Sequence, residues 1–387
     1  MKETMTPRQR MQTALNHQTP DRIPIDLGGF QTGIHQKAYR ELIAHLGLKE
    51  EIVILDAVQQ LAKPSEAVLE RFHVDTRYIC AKAPDSFKGG IVKNTRNGRL
   101  WHDLKDEFGV IWSMPDDQGL YMDISDHPLA EATLKDIAGY PFPNGGDPSR
   151  FAGVRETALQ MRNNTPYALC TGIGGVVYEY CWYMRGLERW FMDMLENVPF
   201  CQALLEQTLK FWMDFYSGYM KEIGDLVDVI MIGDDLAGQD GPLFSPQFYK
   251  TIVKPRQKAL VQHIRSLTKA KIWYHTCGGC TRYIPELIDN GVDILNPVQI
   301  SAAGMDPTIL KKEFGNKIIL WGGGIDSQHI LPFACPDEIR RAVRDNLEIF
   351  KPGGGYVFNN IHNIQAGVPA PNIVALYDAA YEFGFYL

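Results

Sequence analysis

The feature that most constrains this chain is a rhythm. A short apolar, often β-branched run, a turn and then a helical pattern recur eight times along the 387 residues. The runs are RIPIDLG (22–28), TRYICA (76–81), YALCTG (167–172), VDVIMIGDD (227–235), KIWYHTCG (271–278), VDILNPVQ (292–299), KIILWGGG (317–324) and GYVFNN (355–360). Between them lie amphipathic stretches such as ALLEQTLKFWMDFYSGYMKEIG (203–224) and DEIRRAVRDNLEIFKPGGG (337–355), the second closed by three glycines that stop a helix. Eight strands alternating with helices predict an α/β fold, the (β/α)₈ barrel. The competing architecture is an open doubly wound sheet. Against it, no Gly-rich turn follows the first run to hold a phosphate, and a count of eight suits closure. Residues 85–125 break the rhythm: GGIVKNTRNGRLWHDLKDEFGVIWSM reads as an inserted β-hairpin with RNGR as its tight turn. The expected organisation is a helical lead over 1–21 and one barrel domain over 22–387, with an insertion near 85–125.

The formal net charge of −7 argues against a nucleic-acid partner or an anionic membrane surface, since both need a basic face. No apolar run reaches bilayer-spanning length, and the N-terminus lacks the apolar stretch of an export signal. The seven cysteines are odd in number and follow no framework spacing. They are expected to be reduced thiols in a cytoplasm, open to metals.

A barrel of this kind carries its site at the C-terminal ends of the strands, so the residues there bear the chemistry. The fifth run ends in His275 and Cys277. Strand alternation turns positions two apart to one face, and imidazole nitrogen with thiolate sulfur is a ligand pair that Zn²⁺ favours at about 2.0–2.3 Å. By itself His-x-Cys is more often packing than chemistry, so a third donor matters. Cys280 is near, at a Cys-x-x-Cys spacing in the first turn of the next helix. His362, in FNNIHNIQ past the eighth run, is remote in sequence but on the same rim. His275, Cys277 and His362 leave the open position of a catalytic zinc, whereas another thiolate tends to close it; His362 is the favoured ligand and Cys280 the alternative. Asp234 and Asp235 emerge at the end of the fourth run and Glu179 follows the third. They are candidates for general acid work or for orienting a ligand, with turn formation and helix capping as the competing role for the aspartates. Tyr274, Trp321, Gly323 and Asn360 lie near enough to the rim to be expected in substrate binding. Cys80, Cys170, Cys181 and Cys201 sit in apolar surroundings as inert core thiols.

At these residues the chain resembles a known group. YHTCGGCTRYIPELIDNGVDILNPVQISAAGMDPTILKKEFGNKIILWGGGIDSQHILPF (274–333) and GGGYVFNNIHNIQAGVPAPNIVALYDAAYEFG (353–384) are similar to the C-terminal half of the uroporphyrinogen decarboxylase superfamily, and TPRQRMQTALNHQTPDRIPIDLGG (6–29) to its start. The resemblance implies the barrel and one of two chemistries: decarboxylation of porphyrinogen acetates, or zinc-dependent methyl transfer involving corrinoids. The decarboxylase carries an RQAGR motif for substrate carboxylates; here the corresponding region reads DLGGFQTGIHQKAY, with no arginine until Arg40. Its pyrrole-binding aspartate has no counterpart in TRYICAK, where Lys82 falls nearest. The methyltransferase branch has His-x-Cys and a distant third cysteine. His275 and Cys277 match it, and His362 stands where that cysteine would be. The ligand set is then less anionic and the metal a harder Lewis acid, better suited to an oxygen-bearing methyl donor than to a thiol. The resemblance thus implies a methyltransferase moving a methyl group between a small donor, such as a methoxylated compound, and the cobalt of a corrinoid (cobalamin) protein. That partner is separate, because no cobalamin motif is present. Transfer from a methyl-corrinoid to a thiol or folate, a decarboxylase, and a homodimer all stay open.

Overall fold

Seven of the eight runs form strands of one parallel sheet: β1 (Thr76–Tyr78), β2 (Ala168–Gly172), β3 (Val229–Gly233), β4 (Lys271–His275), β5 (Ile294–Asn296), β6 (Ile319–Trp321) and β7 (Tyr356–Val357). They are hydrogen-bonded in sequence order, each parallel to its neighbours. The structure is a computed structural model that describes residues 2–173 and 176–386. The end residues 1 and 387 of the expected segments, and 174 and 175 ahead of Glu179, lie outside the described residues. The first run makes an isolated parallel bridge, Ile25 with Phe358, rather than a regular strand. Asp26 N donates to the Phe358 carbonyl (2.9 Å), Phe358 N to that of Pro24 (2.8 Å) and Asp75 N to that of Ile25 (2.8 Å). Its irregularity has a chemical cause. Pro24 has no N–H to give, and the Ile25 amide is taken by the Asp75 carboxylate at 2.8 Å. The run therefore lies between the two edges of a curled sheet, and the fold is TIM-barrel-like.

Alternation along the strands sorts their side chains. Ala168, Cys170, Val229, Met231, Trp273, Ile294, Ile319, Trp321 and Val357 fill the concave side, where the Trp273 and Trp321 rings stack at 4.5 Å. Ile230, Ile232, Ile272, Tyr274 and Leu320 join the larger core under the surrounding helices. Helix α1 (Pro7–Leu15), with Thr6 and Gln9 forming a capping box, sends Met11 and Leu15 into the concave cluster. Its Arg8 amide bonds the Pro166 carbonyl at the entrance to β2, so the helix covers the N-terminal ends of the strands. Burying those two side chains is worth roughly 1.5–3 kcal/mol each. Arg10 on the same helix and Arg22 in the first run both reach Asp75, at 2.6 and 2.7 Å, with all three side chains almost fully buried.

Residues 91–126 hold more than the expected hairpin. Ile91–Arg96 and Arg99–Lys105 do pair around Asn97 and Gly98, both at positive φ as such a tight turn requires. Ile111–Pro115 and Asp123–Asp126 then extend the pair to a four-stranded antiparallel sheet. A small sheet of Ile34–His35, Ile54–Asp56 and Leu61–Ala62 follows the first run. Among the described residues no helix is long and apolar enough to cross a membrane.

Asp75 holds two buried guanidiniums and a backbone amide; Asp75→Ala removes the buried carboxylate that Arg10 and Arg22 share, leaving Glu3 to Arg22, Asp21 and Glu3 to Arg10, and the Ile25 amide without its acceptor. The variant should lose about 3–5 kcal/mol of stability, read as a lowered urea midpoint against wild type.

Candidate metal centre

His275 is the last residue of β4 and shares the concave face with Trp273, two positions back. Its register partners are Gly233 on β3 and Asn296 on β5. Gly233 is glycine because a Cβ there would sit 2.3 Å from the His275 carbonyl oxygen and 2.7 Å from its Cβ. Cys277 lies beyond the strand, in the turn that follows, so it reaches His275 through that turn and not through strand alternation. The turn is pinned by four hydrogen bonds: Thr276 N to the Asn296 carbonyl (2.7 Å), Leu236 N to Thr276 Oγ1 (3.0 Å), Cys277 N to Asp235 Oδ1 (2.7 Å) and Gly278 N to Gln299 Oε1 (2.7 Å). His362 arrives from the loop after β7. That loop is stitched to the loop after the first run, where Gly33 N donates to Asn363 Oδ1 (2.6 Å) and Asn363 Nδ2 to the Phe30 carbonyl (2.9 Å).

These three residues present ligand atoms that all lie within 4.8 Å of one another. His275 Nε2 and Cys277 Sγ are 3.4 Å apart, against about 3.5 Å for two donors on one tetrahedral zinc with the usual bond lengths. The imidazole rings of His275 and His362 stand 5.1 Å apart at 67°. Asn296 decides the tautomer. Its Nδ2 donates to the Trp321 carbonyl (3.0 Å), which turns its Oδ1 to accept from His275 Nδ1 (2.7 Å) and leaves the Nε2 lone pair facing the other two donors. Burial pushes His275 down to about 4, despite that bond, and His362 to about 3, aided by the charge of His275; both imidazoles are neutral, as ligands must be. Burial, then the charges of Asp235 and Glu179, hold the Cys277 thiol well above its ordinary value, so a cation is what would draw off its proton. The donor set fits a divalent metal.

The structure divides the two aspartates. Asp235 accepts from Cys277 N and lines the cleft with His275, His362 and Glu179. Burial raises its carboxyl above the usual range. Glu179, first residue of helix α2 (Glu179–Arg185), is raised well above it by burial and then by the charges of Asp235 and Asp234, and accepts from Tyr183 Oη at 3.1 Å. Asp234 points elsewhere. It accepts from the Tyr178 and Glu179 amides (2.8 and 3.0 Å) and from Gln257 Nε2 (3.0 Å), a capping role, and burial pushes it up to about 6. Four expected substrate contacts also fall outside the cleft lining. Tyr274 is on the convex face, beside Asp234 at 3.3 Å, by the same alternation that turns His275 inward. Trp321 is in the barrel floor with its Nε1 on Asp26 Oδ2 (3.0 Å). Gly323 packs against Val298 and Asn360 beside Ser327. Cys280 is buried with its thiol 3.8 Å from the Met305 sulfur, outside the ligand group.

The cleft measures about 670 Å³ and is walled by Phe30, Leu104, Trp112, Tyr180 and Tyr183, with Asp56 and Asp106 among its polar groups. Asn296, Asp56, Asp106 and Trp112 are the residues sequence reading missed. Asn296 is legible in the sequence, as the polar residue that follows Ile294 and Leu295 and precedes Pro297 in the sixth run. The others come from strands and turns outside the eightfold rhythm.

A family model described as uroporphyrinogen decarboxylase (URO-D) matches residues 106–383. A uroporphyrinogen decarboxylase of Psychromonas ingrahamii is 26% identical over 293 residues, 71% of this chain and 77% of that protein. One from Actinobacillus succinogenes is 32% identical over 155 residues, 39% of each. Among solved structures, a methyltransferase from Methanosarcina mazei has a TM-score of 0.67 at 18% identity, covering 98% of this chain and 99% of that one, a likeness of fold.

Substitution separates ligand from scaffold. Cys277→Ala should abolish stoichiometric zinc in metal analysis, Cys280→Ala should leave it intact, and Asn296→Ala should weaken zinc about 10–100-fold while the far-ultraviolet dichroism is unchanged.

Proposed function

Because this chain belongs to the uroporphyrinogen decarboxylase family, we propose that it is a methyltransferase of that family, moving a methyl group between a small methoxylated compound and the cobalt of a separate corrinoid protein. The observation that carries this reading is the convergence of His275, Cys277 and His362 at the floor of an open cleft. Three protein donors with room for a further one is the composition of a catalytic zinc. A zinc ion held there would supply Lewis-acid polarisation of the donor's heteroatom. Asn296 keeps the His275 lone pair directed at the metal position, and Asp235 holds the backbone of Cys277 in place. Burial and the neighbouring Asp235 and Asp234 favour the protonated form of Glu179, which faces the cleft, so it is the group that would protonate the departing oxygen once the methyl has left. Aromatic walls shed water from the donor and position its ring. We take residues 22–387 as one barrel unit with 85–125 as an insertion that builds the cleft wall, a division supported by Trp112 and Asp106 lining the cleft.

The names of the relatives favour a second reading, a decarboxylase of an acidic tetrapyrrole. Such a substrate needs basic side chains to hold its carboxylates. Among the described residues the cleft lining contains neither lysine nor arginine.

Cob(I)alamin mixed with zinc-loaded protein should become methylated from at least one donor in a panel of methoxylated aromatics, amines and methanol, followed by its visible spectrum. Chelation of the metal or Cys277→Ala should abolish the reaction. Coproporphyrin formation from uroporphyrinogen, unaffected by chelation, would establish the decarboxylase instead. Glu179→Gln should slow methyl transfer by about 10²–10⁴-fold with donors whose leaving oxygen is basic, and less with acidic phenols.

A further inference from the structure

The charge of the cleft bears on which donors it admits. Its rings alternate with carboxyls that are fixed by neutral donors. Asp56 accepts from the Val58 and Gln59 amides (2.7 and 3.0 Å), and Asp106 from the Phe108 and Val110 amides (both 3.0 Å) and from Trp112 Nε1 (3.1 Å). Such bonds orient a carboxylate without cancelling its charge. A recess of about 180 Å³ adjoins the cleft through Phe30 and Tyr180, and its two basic residues are already committed. Lys82 pairs with Asp85 at 2.8 Å and Arg150 with Glu107. A further observation concerns Gln31, which lines the same cleft. Its side-chain oxygen is buried and accepts no hydrogen bond from the described residues, an acceptor facing a space where a ligand O–H or N–H would satisfy it.

We infer that the cleft selects uncharged or cationic aromatic methyl ethers and rejects those that carry a carboxylate, an inference that rests on the methyl-transfer reading above. A carboxylate entering it would give up water with no lysine or arginine in the lining to replace that water, and would face the carboxyls of Asp56 and Asp106. A hydroxyl or ammonium group would meet Gln31 and the carboxyls, while the rings stack on the ligand or hold a cation over their faces.

Isothermal titration of the full-length protein, metal-loaded and metal-free, with 3-methoxybenzyl alcohol, 3-methoxybenzylammonium and 3-methoxybenzoate near neutral pH tests this on three matched ligands. The alcohol and the ammonium should bind, and the benzoate should bind at least about tenfold more weakly. Asp56→Asn should narrow that gap with zinc content unchanged. Benzoate binding as tight as the alcohol's in either form of the protein overturns the inference, as does failure of all three to bind. The methyl-transfer reading stands or falls separately, on zinc stoichiometry and on alkylation of cob(I)alamin by the wider donor panel.

Discussion

The parallel register across β3, β4 and β5 is the constraint on which the rest depends. It sets Gly233, His275 and Asn296 side by side at the C-terminal edge of the sheet. Each of the three has a different consequence. The glycine leaves room for the imidazole, the imidazole faces the concave side, and the amide fixes which of its nitrogens carries the proton. A slip of one residue in β4 would turn His275 outward under the helices and bring Tyr274 in. The stack of Trp273 on Trp321 below resists that slip, because Trp273 would have to leave a filled interior and its partner ring.

Above this floor the protein gathers two imidazoles, a thiol and two carboxyls, with no lysine or arginine among the described residues that line the cleft. Burial moves every one of them toward its neutral form: the imidazoles fall, and the thiol and carboxyls rise. The hydrogen bonds around it include those from backbone amides and those made by Asn296 and Gln299, which hold position without supplying charge. The donor atoms are thus held in place by neutral partners, a composition that fits a divalent cation.

The cleft lining holds no lysine or arginine among the described residues, while the names of the relatives speak of a polycarboxylate substrate. Uroporphyrinogen decarboxylases are its relatives in sequence and a methyltransferase its neighbour in fold. The barrel that both imply is a scaffold, and the reaction has to be argued from the side chains at its rim. Part of the wall here, Asp56, Leu104, Asp106 and Trp112, comes from segments outside the barrel rhythm.

Periodicity alone determined much. Eight apolar runs alternating with helical patterns, seven of which are strands in the predicted order, make a parallel sheet the economical way to bury them, and strand ends then single out His275, Cys277, His362 and the pair Asp234 and Asp235. Local signals of this kind are legible because each strand must repeat the same burial pattern. What the tertiary structure alone decided is direction and company. Asp234 and Asp235 are adjacent in the chain, yet one caps α2 and the other faces the cleft, because their side chains leave the strand end on opposite sides. Tyr274 and Trp321 look like rim aromatics in sequence; one lies on the convex face and the other in the floor. Asp56, Asp106 and Trp112 join the cleft from the two antiparallel sheets outside the barrel and their turns. No local pattern encodes such encounters, since they are fixed only when loops separated by tens to hundreds of residues close over one another.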